Sequence, residues 1–235
     1  LKLNKPILIE KPILTNSNEM KKLKKYFKKF KSYIQCSLHH RHRSISIEIK
    51  KLLKKKEIGN IYYINIIHRK FRSIPKQSKI FSNKNKSGGG PLIDLGSHYF
   101  DLICWLLNFP KIKKIMCVNK KEIFKNKLNK RYLPFNSFNN EELALGNILF
   151  ANKVLCNFEI GYCLNTSDEK VAIEIFGSKG SITWPNGNLN ILKKDKIHKR
   201  KIRTKKFLAS DEQINFFIKN IRNKNQNIKN ILEYK

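Results

Sequence analysis

The stretch Ser-Gly-Gly-Gly-Pro-Leu-Ile-Asp-Leu-Gly-Ser-His-Tyr-Phe-Asp, residues 87–101, joins a glycine-rich turn to an apolar segment. We predict a helix from Pro91 to Leu107, because proline suits the first turn of a helix and Pro110 ends the pattern. Because glycine has no Cβ, the Gly88–Gly90 run allows a ligand or another backbone to approach the start of this helix closely.

Asp94 and His98 are four residues apart within the predicted helix, so they share one face and their side chains can meet. A carboxylate beside an imidazole can orient the ring and help it to move a proton near neutral pH. The alternative is structural: His98 packs against a sheet with its ring satisfied, and Asp94 stabilises the first helical turn.

Upstream of this stretch, the pattern predicts a strand over Pro6–Ile9, a lysine-rich helix over Glu19–Lys31 and a strand over Tyr33–Leu38. A strand, helix and strand of these lengths form a βαβ unit with parallel strands. Next we expect a helix from Ser44 to Lys56 that closes at Gly59 and a strand over Ile61–Ile67. Residues 69–87 have no clear period and are predicted to form a long loop.

Downstream of the glycine-rich stretch the chain is rich in strands and ends with a helix over Asp211–Arg222. The sequence Asn186-Gly187-Asn188 predicts a hairpin turn between the last two strands. The fold class expected is α+β, with a large, mostly antiparallel open sheet, helices on one face, and a preceding βαβ unit. The predicted strands are Ile115–Asn119, Leu143–Phe150, Val154–Ile160, Val171–Phe176, Gly180–Trp184 and Leu189–Leu192.

The formal net charge is +33, which by itself suggests a nucleic-acid-binding protein. Only eight of the 50 basic residues are arginine, however, and arginine is the favoured reader of phosphates and bases. Lys, Asn and Ile are residues of A/T-rich codons, so drift in base composition accounts for the bias. We therefore expect no specific nucleic-acid partner, although weak, non-specific binding of polyanions follows from the charge.

The five cysteines are odd in number and have no C-x-x-C spacing, which favours buried, reduced thiols over a disulfide framework or a metal site. No apolar stretch approaches the roughly 18–20 residues needed to span a bilayer, and no signal peptide is visible. These features predict a cytoplasmic protein that has neither a metal nor a membrane partner.

Several motifs in order along the chain resemble those of the Gfo/Idh/MocA oxidoreductases. Lys5–Pro12 is similar to the strand and E-K-P signature of that family, and Ser87–Pro110 resembles its G-G-G-x-L-x-D-x-G-x-H-x-x-D motif. The resemblance extends through His40–Arg43, a motif near the domain junction, and Glu57–Ile61, a turn into a strand. It continues in Ile175–Ile182, which is similar to a late G-x-x-G hairpin.

The resemblance implies an NAD- or NADP-dependent oxidoreductase that acts on a secondary hydroxyl of a sugar or polyol. Catalysis would fall to Lys11, Asp94 and His98, with His98 as the general acid/base. Cofactor contacts would come from Glu10, Lys11 and Pro12, with the Lys11–Pro12 bond cis, and substrate contacts from Arg41, Asp94 and His98. A homo-oligomer through the open sheet is also implied.

The chain departs from the family in having no G-x-G-x-x-G dinucleotide fingerprint among its ten glycines. The resemblance therefore implies a fragment in which residues 1–38 are the end of a Rossmann domain. Residues 39–222 would form the substrate and oligomerisation domain, and residues 223–235 a polar tail. We expect such a chain to be incomplete and inactive alone.

Two other functions remain open from the sequence. The chain could be a non-catalytic oligomerisation or scaffold domain that keeps the open sheet of the family without its chemistry. It could also be a basic nucleic-acid-binding module, which would require a contiguous basic face.

Overall fold

A computed structural model describes residues 5–14, 17–29, 33–75, 79–125 and 138–222. Strands and helices alternate in the first part of the chain, and strands predominate in the later part. The helices are α1 (Ser17–Lys29), α2 (Ser44–Lys54), α3 (Lys84–Ser87), α4 (Ser97–Leu106) and α5 (Ala209–Arg222). The strands are β1 (Ile7–Ile9), β2 (Ile34–Cys36), β3 (Ile61–Arg69), β4 (Ile112–Lys120), β5 (Leu143–Phe150), β6 (Leu155–Gly161), β7 (Lys170–Gly177), β8 (Gly180–Trp184), β9 (Asn188–Lys193) and β10 (Lys196–Lys201).

The first unit is the predicted βαβ arrangement. Strands β1 and β2 pair in parallel, with Ile7 opposite Ile34 and Ile9 opposite Cys36, and α1 connects them. Ile34 is buried among apolar side chains that include Ile7 and Leu23. Helix α5 returns to this unit, where Gln213 Nε2 donates a hydrogen bond to Ser37 Oγ at 3.0 Å. The last described helix therefore packs against the first βαβ unit.

The remaining strands form one eight-stranded sheet in the order β10-β9-β8-β7-β3-β6-β5-β4. Every neighbouring pair is antiparallel except β3 and β6, which are parallel. The α+β class and the mostly antiparallel sheet predicted from the sequence are therefore confirmed. The predicted hairpin at Asn186–Asn188 is also present, and Gly187 at its turn has φ +67°, where glycine is unstrained.

Side chains alternate across this sheet, so each strand contributes every second residue to one apolar layer. Helices α2 and α4 cover that layer with Ile49, Leu102 and Leu106. The indole of Trp184 lies in the same core and donates a hydrogen bond from Nε1 to Ser46 Oγ at 2.9 Å. The fully buried strand residues include Ile64, Ile66, Cys156, Ile160, Ile173, Ile175, Ile182 and Leu189.

The local structure differs from the predictions at three places. The segment predicted as a long loop contains α3 and a 3-10 turn at Lys79–Ser82, where Asn83 caps α3 through the backbone N–H of Asn85. Strand β10 was missed because its sequence, Lys-Ile-His-Lys-Arg-Lys, has almost no apolar pattern. The helix predicted from Pro91 begins with a π-helical turn, Leu92–Gly96, before the α-helical part.

All five cysteines are free thiols, as predicted, but their expected burial holds only in part. Cys156 and Cys163 are buried, whereas Cys117 lies exposed on β4. Within the described ranges, none of the helices has both the length and the apolar character needed to cross a bilayer.

Candidate active site

Three separate segments of the chain meet at one end of the small parallel sheet. Lys11 follows β1, His39 and His40 follow β2, and Asp94 and His98 lie in the first turns of the helix that ends at Leu106. Because β1 and β2 run in parallel, the residues that follow them emerge at the same edge. The edge at the carboxyl ends of parallel strands is where α/β folds place ligands.

Lys11 is the residue that joins this edge to the helix. Its Nζ donates hydrogen bonds to Asp94 Oδ1 at 2.6 Å and to the Asp94 backbone carbonyl at 2.7 Å. Both side chains are largely shielded, with exposed fractions of 16% for Lys11 and 12% for Asp94. The Lys11–Pro12 peptide bond is cis, as the family resemblance implied.

The second oxygen of Asp94 has a different partner. Tyr162 donates its phenolic hydroxyl to Asp94 Oδ2 at 2.7 Å. Desolvation, and to a smaller extent the neighbouring carboxylate of Asp94, raise the pKa of Tyr162, so its hydroxyl stays protonated and keeps donating. Asp94 is thus held at both oxygens, by an ammonium and by a phenol.

His98 lies beside this pair and packs among other imidazoles. Its ring centroid is 4.8 Å from that of His39 and 4.9 Å from that of His40. Its Nδ1 is buried and has no hydrogen-bond partner among the residues that the structure describes. Burial first, and the nearby charge of Lys11 next, lower the pKa of His98 to about 4, so the imidazole is neutral at pH 7 and able to accept a proton.

We expected the Asp94 carboxylate to orient the His98 ring. Its two oxygens instead accept hydrogen bonds from Lys11 and Tyr162. The rule that residues four apart meet applies to the α-helix, whereas Asp94 lies in the π-helical turn. Asp94 still influences His98 electrostatically, since its carboxylate raises the pKa of His98 and opposes part of the lowering caused by burial.

The glycine-rich turn is fixed by a neighbouring carboxylate. Glu141 Oε1 accepts a hydrogen bond from the backbone N–H of Gly90 at 2.7 Å. A Cβ at Gly90 would lie 2.3 Å from the Glu141 carbonyl oxygen, which is closer than any side chain tolerates. The close approach predicted for this turn is therefore made by a backbone segment of the same chain.

The other predicted residues are placed as follows. Arg41 forms a bidentate pair with the buried Asp101, through Nε to Oδ2 at 2.7 Å and through Nη2 to Oδ1. This is a structural contact that the sequence did not indicate, and the contact of Arg41 with substrate stays a prediction. Glu10 and Pro12 flank Lys11 and are exposed at the edge of the small sheet, so their contact with a cofactor also stays a prediction.

Sequence reasoning missed Tyr162 and His39. Tyr162 follows β6 and lies 68 positions from Asp94, so no local pattern connects the two residues. His39 begins a histidine-rich run that was noted only from His40 onward. The signal available for Tyr162 was an aromatic residue with a hydroxyl directly after a buried strand, which is too common to single out.

A match to a known family accounts for this combination of fold and site. The family model described as "Oxidoreductase family, C-terminal alpha/beta domain" (Gfo/Idh/MocA) matches residues 50–234. The chain belongs to the Gfo/Idh/MocA oxidoreductase family. The matched range contains Asp94, His98, Tyr162 and the large sheet, whereas Lys11 lies before it.

Relatives of this Gfo/Idh/MocA chain include enzymes that act on sugars. It is 23% identical over 180 residues to the D-glucoside 3-dehydrogenase of Escherichia coli, an alignment that covers 75% of this chain and 51% of that enzyme. It is 23% identical over 192 residues to the glucose-6-phosphate 3-dehydrogenase of Bacillus subtilis, with 81% and 53% covered. The chain thus spans about half the length of the curated relatives it matches.

Solved structures confirm the fold of this Gfo/Idh/MocA chain. The structure of levoglucosan dehydrogenase in complex with NADH and L-sorbose superposes with a TM-score of 0.75 at 18% identity. That superposition covers 94% of this chain and 65% of the other. An inositol dehydrogenase homologue from Azotobacter vinelandii, complexed with NAD+, gives a TM-score of 0.67 at 15% identity over 85% of this chain and 51% of that one.

Proposed function

We propose that this chain supplies the acid/base and substrate half of an NAD(P)-dependent oxidoreductase that acts on a secondary hydroxyl of a sugar or polyol. The observation that carries the proposal is the position of His98, with its buried Nδ1 unpaired among the described residues, beside the bonded pair of Lys11 and Asp94. Oxidation of an alcohol requires a group that accepts the hydroxyl proton and a positive charge that stabilises the developing alkoxide. His98 and Lys11 are suited to these two tasks.

Each side chain has a separate task in this proposal. His98 takes the hydroxyl proton in oxidation and returns it in reduction. Lys11 Nζ provides the positive charge next to the reacting oxygen. Asp94 holds Lys11 by two hydrogen bonds, and Tyr162 holds Asp94, so the ammonium keeps its position while the substrate binds.

Glu10, Lys11 and Pro12 would hold the nicotinamide end of NAD or NADP, which when bound accepts the hydride that leaves the substrate carbon. The fit rests on their position after a strand of a parallel pair, the usual place for a nucleotide in such folds. The absence of the G-x-G-x-x-G fingerprint from these 235 residues means that the pyrophosphate lacks its usual binding turn here. We therefore propose that this chain alone binds NAD(P) weakly and turns over slowly.

We also propose that the chain assembles with copies of itself through the open face and outer strand of the large sheet. Strand β4 is exposed along its whole length and presents Ile112, Ile115, Met116 and Val118 to solvent. Exposed apolar area of this kind marks protein contacts. The same surface supports a second function, a non-catalytic scaffold, in which association survives without any chemistry at His98.

The test is oxidation of a panel of glucosides, glucose phosphates and inositols with NAD+ and NADP+, followed by the absorbance of the reduced nicotinamide. It is run with this chain alone and with the chain joined to the nucleotide-binding half of a relative. For His98→Asn we expect kcat to fall by roughly 10²–10⁴, the usual contribution of a general acid/base. For Lys11→Met we expect kcat to fall and KM to rise, because the charge acts on both bound substrate and transition state.

His198→Asn is the matched control, since that histidine is exposed on β10, outside the site. It should leave kcat and KM unchanged. Turnover by the joined protein that survives His98→Asn would overturn the catalytic assignment. Oligomerisation that is intact in a protein with no turnover on any of these substrates would favour the scaffold.

A further inference from the structure

Arg43 differs from the other half-buried arginines that the structure describes, which are Arg41, Arg69 and Arg72. The guanidinium groups of those three donate hydrogen bonds to carboxylate or amide oxygens. Arg43 forms neither a hydrogen bond nor an ion pair with any described side chain. Because a polar group that is shielded from water without an acceptor costs free energy, we expect this guanidinium to meet an acceptor from outside the chain.

The contact that Arg43 does make fixes its position and leaves its donors available. Its Cζ lies over the ring of Trp184, 5.3 Å from the centroid. Trp184 is itself immobile, because it is 2% exposed and its Nε1 is bonded to Ser46 Oγ. A guanidinium over an aromatic ring uses its face for that contact, so the N–H groups at its edge can still bind a ligand.

Arg43 lies next to the histidines of the candidate active site. Its backbone N–H donates to the carbonyl of His40 at 3.4 Å, and the His40 ring lies 4.9 Å from both Trp184 and His98. Its charge reaches the imidazoles: after burial, Arg43 contributes most to the lowered pKa of His39, and it also lowers the pKa of His98. The guanidinium is therefore close to the group that we propose as the proton acceptor.

The carboxylates of this region do not neutralise Arg43. Asp94 and Asp101 are bonded to the other two cations nearby. Glu10 is exposed and forms no ion pair with Arg43. The ring nitrogens of His39, which is half-buried, also form no hydrogen bond with the residues that the structure describes. An uncompensated positive charge and an unbonded imidazole thus lie side by side at the site.

We propose that Arg43 binds an anionic group of the substrate, so that the substrate is a sugar phosphate or a sugar acid and not a neutral sugar. The planar fork of arginine matches the oxygens of a phosphate or a carboxylate. This inference rests on the proposed function, which places the reacting hydroxyl at His98. The cofactor could supply the same chemistry only through its phosphates, because the nicotinamide ring of NAD+ is itself positive.

The test measures Kd by isothermal titration of the whole chain with three probes that share one ring: D-glucose 6-phosphate, D-glucuronate and D-glucose. At least one anionic probe should bind about tenfold more tightly than glucose. In Arg43→Gln its Kd should rise by at least about tenfold, the usual effect of a lost charged hydrogen bond, with the Kd of glucose unchanged. Arg43→Lys keeps the charge but not the fork, so its Kd should lie between those of the wild type and Arg43→Gln.

The matched control is Arg203→Gln, which removes the same charge from an exposed position after β10. It should change every Kd by less than about twofold. Equal losses in Arg43→Gln and Arg203→Gln would mean that the net charge of the chain attracts the anions, and would overturn the proposal. A Kd for NAD+ that rises in Arg43→Gln, with the Kd values of the sugars unchanged, would overturn it in favour of the cofactor phosphates.

Nuclear magnetic resonance of the imidazole nitrogens gives a second readout that does not depend on turnover. The pKa values of His39 and His98 should rise in Arg43→Gln, because a neighbouring positive charge is removed. They should also rise when the wild-type chain binds the anionic probe, and stay unchanged with glucose. Unchanged pKa values in the variant would show that Arg43 lies away from the site and would contradict the proposal.

Turnover by the chain joined to a nucleotide-binding half separates this inference from the proposed function. Arg43→Gln should raise KM for the anionic sugar by at least about tenfold and leave kcat nearly unchanged, as expected for lost uniform binding. Turnover with equal KM values for charged and neutral sugars would overturn this inference alone. No turnover on any sugar, with anion binding at Arg43 intact, would overturn the proposed function instead.

Discussion

Two ion pairs on one helical segment show how similar chemistry can serve different purposes. Asp94 and Asp101 are seven residues apart, and each carboxylate bonds to a cation from the amino-terminal part of the chain. Asp94 meets Lys11 and retains 12% exposure, whereas Asp101 meets Arg41 and is 2% exposed. The first pair borders the cluster of His39, His40 and His98, and the second lies within the packing of α4.

The choice of cation explains the difference. Arginine presents a planar fork that fixes a carboxylate in two places, whereas lysine is a point charge on a flexible stem. Burial raises the pKa of Asp101 even though Arg41 opposes the rise. The desolvation penalty of this carboxylate is therefore larger than the stabilisation that Arg41 provides. We infer that the Arg41 pair specifies how residues 39–42 dock on α4, and that the Lys11 pair serves the site.

The largest expected effect comes from breaking the buried pair. Arg41→Met leaves the Asp101 carboxylate buried without its partner, and we expect the free energy of unfolding to fall by about 3–5 kcal/mol. Urea denaturation followed by circular dichroism measures this loss. The double variant R41M/D101L should recover most of it, because an apolar pair of similar volume has no charge to desolvate.

If the single and the double variant were equally unstable, the packing of the Arg41 stem would matter more than its charge. The Arg41–Asp101 pair would then not differ from the Lys11–Asp94 pair through its buried charge. Lys51→Met, at an exposed position on α2, is the control and should change stability by less than about 0.5 kcal/mol.

A smaller effect is expected from the pair at the site. Lys11→Met removes two hydrogen bonds to Asp94, but Tyr162 still donates to the carboxylate and water reaches it. We expect a loss of about 1.5 kcal/mol, the lower end of the range for hydrogen bonds to charged groups. A loss as large as that of Arg41→Met in the same denaturation experiment would mean that both pairs are primarily structural.

A further effect concerns pH. Burial lowers the pKa of His98 and of His68 to about 4, against about 6.5 in the unfolded chain. Between these values the unfolded state binds more protons, so the free energy of unfolding falls as the pH drops from 6.5 towards 4. His98→Gln should reduce that slope by up to about 1.4 kcal/mol per pH unit, the equivalent of one proton.

The exposed His198 again gives the control, and His198→Gln should leave the slope unchanged. Unfolding free energies measured at several pH values between 4 and 7 provide the comparison. An unchanged slope in His98→Gln would show that the imidazole is accessible to protons in the folded protein, and it would weaken the case for a neutral base beside Lys11.

The fold was largely predictable because its elements have strong local patterns. Strand β8 matches its predicted bounds, Gly180–Trp184, and the hairpin turn after it was marked by Asn-Gly-Asn. Strand β10 was not predictable in the same way, because its lysines carry no apolar alternation and it forms only by pairing with β9. The parallel pairing of β3 with β6 was also hidden, since partners far apart in sequence are chosen by the sheet as a whole.

The residue types of the site followed from local motifs, but their contacts did not. The spacing of Asp94 and His98 and the Glu-Lys-Pro run at Lys11 were visible in the sequence. Which group holds Asp94 depended on the π-helical turn and on Tyr162, and which group holds Arg41 depended on Asp101. Tyr162 lies 68 residues from Asp94 and Asp101 lies 60 residues from Arg41, whereas the π-helical turn is local.

By itself, then, the sequence determined the strand and helix pattern, the glycine-rich turn and the residue types available for proton transfer. These depend on periodicity and on local backbone preference, which act over a few neighbouring residues. The tertiary structure decided that Lys11 and Tyr162 share Asp94, that Arg41 is held by Asp101, and that the lysine-rich strand β10 lies at an open edge of the sheet. Those outcomes depend on which distant segments pack together, and local sequence patterns carry little information about that choice.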